Sequence, residues 1–126
     1  MGYTRYWDRT SEPITDNFIE AVKEVLEDCK NRGITICNWD GSGVPTLSLE
    51  CIAFNGYEGE HDLSHESFVL DSDTGFNFCK TARKPYDYAV RRVLKLAKDY
   101  GLVTNVSSDG AERHIYSDER YIKENY

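Results

Sequence analysis

Apolar residues at Ile14, Phe18, Ile19, Val22, Val25, Leu26 and Cys29 recur at steps of three and four, the spacing of one buried helix face. Thr15 is placed to cap that helix, Ile14 and Ile19 to staple its entry, and Gly33 to end it. The next stretch, ITICNWDGSGVPTLSLECIAFNG, predicts two strands around a turn at Asp40–Pro45, with Leu47, Leu49, Cys51 and Ala53 alternating onto one face. An acidic loop, YEGEHDLSHE, follows, and then SFVLD and FNFCK, which the turn SDTG joins as a hairpin. A second amphipathic helix is expected from Pro85 through Ala89, Val90, Val93, Leu94 and Ala97 to Gly101, with a basic outer face. LVTNVSSDGAERHIYS reads as a further hairpin turning at Asp109-Gly110, and DERYIKENY as a short polar helix or a tail.

This order predicts an α+β fold in which two helices pack on one face of a mainly antiparallel sheet of about five strands, with residues 1–126 as a single domain. The uncovered sheet face would then be open in a monomer, which points to a homo-oligomer. Four cysteines, Cys29, Cys37, Cys51 and Cys79, lack any CxxC pair and lie within apolar patterns, as reduced buried thiols of a cytoplasmic protein do. The N-terminus MGYTRYWDRT has no apolar signal region, and no run approaches the length of a membrane span.

Charge changes the picture locally. The formal net charge is −7, which disfavours nucleic acid and anionic membranes as partners. Yet from Lys80 to Lys98 seven basic residues face one acidic residue, Asp87, leaving −13 for the rest of the chain. Lys80, Arg83 and Lys84 directly precede the expected start of the second helix, whose free N–H groups and dipole favour an anion; Thr81 and Tyr86 add hydroxyls. The same cations could instead neutralise the acid-rich stretch 58–73. At the N-terminus, Tyr3, Arg5, Tyr6, Trp7 and Arg9 interleave rings with guanidiniums, a pattern that stacks on a base and grips its phosphate, or that seals a core edge. The predicted ligand-binding set is therefore Arg5, Tyr6, Trp7, Lys80, Thr81, Arg83, Lys84 and Tyr86, with no catalytic residue, metal or cofactor.

Other chemistry is less well signposted. His61, Asp62, His65 and Glu66 offer two histidines four apart but no marked third ligand. DSDTG opens like a calcium loop, yet its glycine comes one position early and Ala82 stands where a bidentate Glu is needed. Ser64 beside His65 lacks a nucleophile elbow, and His114 would be a general base only if it faced a pocket.

The phrases GYTRYW, HESFVL, FCKTARKPYD and VSSDG, in this order and spacing, resemble a family of small proteins of about this length encoded by bacteriophages and bacteria. No activity comes with that resemblance. It implies a setting in the bacterial cytoplasm, where small phage proteins block a host protein or sequester a nucleotide signal, often as symmetric oligomers. Three functions are thus expected in competition. The first is non-catalytic capture of a phosphate-bearing ligand such as a nucleotide or cyclic nucleotide. The second is a phosphoesterase or other hydrolase using His61, His65 or His114, and the third is docking of a host protein on Arg91, Arg92 and Lys95.

Overall fold

The structure is a computed structural model, and residues 2–111 and 117–126 are described. It is α+β, with the order β1 (Thr4–Arg9), α1 (Asp16–Asn31), β2 (Thr46–Leu47), β3 (Ile52–Phe54), β4 (Phe68–Leu70), β5 (Gly75–Lys80), α2 (Asp87–Asp99), β6 (Val103–Ser108) and α3 (Asp118–Asn125). The strands form two small antiparallel sheets, β5-β1-β6 and β2-β3-β4. This differs from the expected pair of helices on one five-stranded sheet.

The first helix follows its local signals. Thr15 Oγ1 accepts from the Phe18 N–H, Phe18, Ile19, Val22, Val25 and Cys29 are buried, and Gly33 takes the left-handed φ of 74° that a chain leaving a helix needs. α2 begins at Asp87, two residues after Pro85, because Pro85 and Tyr86 belong to the turn before it. The two helices pack through Asp28, which accepts from the Tyr88 hydroxyl at 2.6 Å, Arg92 Nη1 at 3.0 Å and Arg32 Nε at 3.0 Å. These donors hold the Asp28 carboxyl below its ordinary range, with the Tyr88 bond the largest cause. Arg92, expected on an exposed docking face, is therefore half-buried in helix packing.

The hairpin expected over 68–80 divides between the sheets. β4 pairs with β3 in the register Ile52↔Leu70 and Phe54↔Phe68, while β5 pairs with β1. Burial decides this: Phe68 packs against Trp7 at 5.3 Å and Phe54 at 5.0 Å, so β4 turns toward the core between the sheets. The expected alternation from Leu47 to Ala53 also breaks, since Leu49 is exposed and Ile52, Ala53 and Phe54 are all buried. The expected strand at 34–37 leaves one isolated bridge, Cys37 to Asn55. DERYIKENY supplies α3, capped by Ser117, and the second half of the hairpin expected at 112–116 lies outside the described residues.

β1 is the centre of its sheet. Arg5, Trp7 and Arg9 point inward, and the Arg9 guanidinium is satisfied by the carbonyls of Asp71, Thr10, Glu12 and Leu102. Burial lowers the Arg9 pKa without removing its charge. Cys29 and Cys79 are buried thiols whose pKa is pushed up to about 12, mainly by desolvation, so they are unreactive packing groups. Among the described residues no helix is long and apolar enough to cross a membrane.

Candidate anion-binding site

The segment joining β5 to α2 is a strained turn. Ala82 and Arg83 are consecutive non-glycine residues at φ 54° and 57°, a conformation that costs about 1–2 kcal/mol per residue. The Thr81 and Ala82 N–H groups both donate to the Tyr3 carbonyl, at 2.9 and 3.2 Å, and the Lys84 N–H donates to Thr81 O. The Arg83 guanidinium sits 3.7 Å from the Tyr3 ring centroid and donates to Ala111 O. Gly110 packs close beside it, since a Cβ at that position would lie 3.2 Å from Arg83 Nη2.

Strand pairing brings the two candidate segments together, with Thr4 opposite Lys80 and Tyr6 opposite Phe78. Sequence reasoning could name both segments but not their adjacency. Their side chains, however, diverge. The Lys80 ammonium lies 5.8 Å from the Phe78 ring centroid on the outer sheet face. Arg83 turns to Tyr3. Lys84 donates to the carbonyls of Asp62 and Ser64 at 2.7 Å each and lies 3.4 Å from the Asp62 carboxylate, so it ties down the acidic loop. Thr81 is fully buried and its hydroxyl donates to Asp87.

The expected stacking rings are corrected for the same reason. Trp7 is 2% exposed and Tyr86 1%, the latter donating its hydroxyl to Glu66 O, so neither ring is available to a base. Burial pushes the Tyr86 pKa far up and keeps it a neutral donor. Of the aromatic candidates only Tyr6 faces outward. Its hydroxyl donates to Asp109 Oδ1 at 2.6 Å, while Asp109 Oδ2 accepts the Thr4 N–H. At the α2 N-terminus the Asp87 carboxylate already occupies the favourable first-turn position, held by Arg5 and Thr81.

A different convergence lies on the far side of that ion pair. Arg91, Lys95 and Lys98 form one stripe along α2, at steps of four and three. Antiparallel pairing places Ser107 and Ser108 of β6 opposite Tyr6 and Arg5 of β1. Between these elements is a cleft of about 310 Å³ lined by Arg5, Arg91, Lys95, Lys98, Val106, Ser107 and Ser108. Asp87 holds Arg5 in a two-bond grip at 2.7 and 2.8 Å, giving the cleft a rigid guanidinium wall whose charge Asp87 balances, so that the net positive charge comes from the α2 stripe. Among the described residues no carboxylate pairs with Lys95 or Lys98. The helical spacing of the stripe was legible; the serines were not, because the VSSDG string reads locally as a turn.

A larger cavity of about 640 Å³ opens between α1 and residues 33–45, with Leu26, Ile34, Ile36 and Pro45 among its walls. Its cations, Lys23 and Lys30, share it with Glu27, so its charge is mixed. The histidines do not assemble a centre. His61 contacts Glu60 and the Tyr126 ring, whereas the backbone N–H and carbonyl of His65 are held by the Asn55 side chain. Among the described residues no group of three metal-binding side chains occurs, and His114 lies outside them.

The Asp109 contacts carry a pH dependence. The Tyr6 hydroxyl, the Thr4 N–H and the Arg83 charge hold its carboxyl below the ordinary range, the Tyr6 bond being the largest cause. A depressed folded pKa contributes stability above the unfolded value, near 3.9, that is lost as pH falls through the folded value. Asp109→Asn should therefore lower Tm at neutral pH, and the gap to the wild type should narrow as pH falls toward the carboxylate range. A gap constant across a Tm titration would show that the charge of Asp109 contributes nothing. In comparisons with protein-family models, curated proteins and solved structures, the chain matches none.

Proposed function

We propose that this protein is a non-catalytic binding module that captures a phosphate-bearing small molecule, of the nucleotide or cyclic nucleotide class, in the cleft between α2 and β6. The observation that carries this reading is the convergence of Arg5, Arg91, Lys95 and Lys98 with Ser108, which strand register sets opposite Arg5, on one cleft in a chain of net charge −7. Guanidiniums and ammoniums supply charge-assisted donors to phosphate oxygens, and the Ser108 hydroxyl adds a neutral one. At about 310 Å³ the cleft is at the small end of ligand sites, the size of a phosphate group with part of its nucleoside. Its described lining supplies cations and a hydroxyl, the groups that hold a phosphate by charge and hydrogen bonding.

This reading keeps the phosphate and moves it from the 80–86 turn to the helix that follows it. Lys80, Arg83 and Lys84 then contribute long-range potential and a rigid frame rather than contacts. Titration calorimetry with ATP, cyclic AMP and inorganic phosphate tests it. Lys95→Glu and Lys98→Glu should each weaken binding of the responding ligand about tenfold, equivalent to 1.4 kcal/mol, and Lys23→Glu in the remote cavity should not. Binding should also fall with added salt, because the two lysines are exposed. No response from the wild type to any of the three probes, or equal responses from all variants, refutes the cleft as the site. Conversion of the bound ligand during incubation would favour the hydrolase reading instead.

A further inference from the structure

The alternation that sends Arg5, Trp7 and Arg9 inward sends Tyr6 and Asp8 to the opposite face of the β5-β1-β6 sheet. On that outer face the register sets Phe78 beside Tyr6 and Phe76 beside Asp8, with Lys80 at the far end of β5. The rings form one patch. Tyr6 stacks on Phe76 at 6.0 Å, Phe76 lies 6.1 Å from Phe78, and the Lys80 ammonium borders Phe78. Phe76 is 66% exposed and Phe78 47%, so no described element covers them. Two adjacent exposed phenylalanines on a strand are a liability unless something packs on them.

We infer that this face joins two copies of the chain as an isologous dimer, outer sheet against outer sheet. Charge complementarity selects a second copy as the occupant. The patch carries a cation, Lys80, at one end and an anion, Asp8, at the other, on neighbouring strands four residues apart in register. A twofold axis lying between two such faces, at right angles to the line from Lys80 to Asp8, sets each Lys80 against the other copy's Asp8. The same operation brings Phe78 onto its symmetry mate and swings Phe76 toward the other copy's Lys80, where its ring can meet the ammonium. Asn105 donates to Asp8 Oδ2 at 2.7 Å and so fixes the anion from the β6 side. The arrangement is self-complementary in sign.

Sedimentation velocity over a concentration series tests this. The wild type should sediment as a dimer that dissociates on dilution, and Phe76→Ser with Phe78→Ser should sediment as a monomer with an unchanged far-UV circular dichroism spectrum. Lys80→Asp alone should weaken the dimer about tenfold, because two symmetric ion pairs become two repulsions. Adding Asp8→Lys to it should restore the wild-type constant. Lys95→Glu, on the other side of the sheet, should leave the dimer intact, which separates this inference from the ligand reading. A wild type that stays monomeric at every concentration overturns the dimer and leaves the patch to a different macromolecule. A dimer that persists in the double serine variant overturns the assignment of the face.

Discussion

Asp87→Ala is expected to lower the stability of the fold by about 3 kcal/mol and its Tm by about 10 °C. Asp87 accepts Arg5 Nε at 2.7 Å, Arg5 Nη2 at 2.8 Å and the Thr81 hydroxyl at 2.7 Å. The Arg5 side chain is 4% exposed and that of Asp87 16%, so the pair is little screened by solvent. Removing the carboxylate leaves a desolvated guanidinium without its counter-charge and a buried hydroxyl without its acceptor, the kind of loss that costs about 3–5 kcal/mol. The further contacts of Arg5 place the expectation at the lower end. The ion pair also ties β1 to the start of α2, so the loss should extend to the cleft wall that Arg5 forms. Urea unfolding of Asp87→Ala, Arg5→Met and the double variant measures it. Each single variant should lose more than the double variant loses relative to either, because an apolar pair strands no charge. A single-variant loss below about 1 kcal/mol would place the pair with ordinary surface bridges.

Gly56→Ala is expected to cost about 3 kcal/mol, at the upper end of overpacking effects. A Cβ on Gly56 would lie 2.0 Å from the Leu63 carbonyl oxygen and 2.8 Å from its carbon, with the Tyr86 ring at 3.2 Å. The obstacle is backbone, which has no rotamer to adopt. Nor is the opposing loop free to retreat: Leu63 N–H donates to Tyr57 O, His65 N–H donates to Asn55 Oδ1, and Asn55 Nδ2 donates to His65 O. One added methyl must therefore lift the loop 57–66 and with it the Asp62 and Ser64 carbonyls that hold Lys84. Urea unfolding together with limited proteolysis of this loop checks the expectation. Wild-type stability and wild-type resistance to cleavage would show that the loop yields without cost.

Both variants act on contacts between segments far apart in the chain, and that is where sequence reading stopped. α1 was legible in full: its three-and-four spacing, Thr15 and Gly33 are local signals, and the helix obeys them. α2 was legible except for its first turn, where the Asp87 N–H donates to Lys84 O and holds Pro85 in a turn. The change of direction at SDTG, residues 72–75, was legible and shows as a bend at Ser72, but not that β4 and β5 leave it for different sheets.

The candidate residues divide along the same line. The stripe Arg91, Lys95 and Lys98 follows from helical period alone. That Arg5 and Arg9 are buried could not be read from TRYWDR, because an arginine scores as polar until partners satisfy it, and these partners are Asp87 and the carbonyls of residues as distant as Asp71 and Leu102. Local sequence by itself determined helix periodicity, caps, turns and the excess of charge between Lys80 and Lys98. Tertiary structure alone decided that Trp7 and Tyr86 belong to the core, that Lys84 anchors a loop, and that Arg5 and Ser108 face one cleft. The physical reason is that period and capping depend on neighbours in the chain, whereas strand register and the burial of charge depend on distant groups meeting as water is excluded.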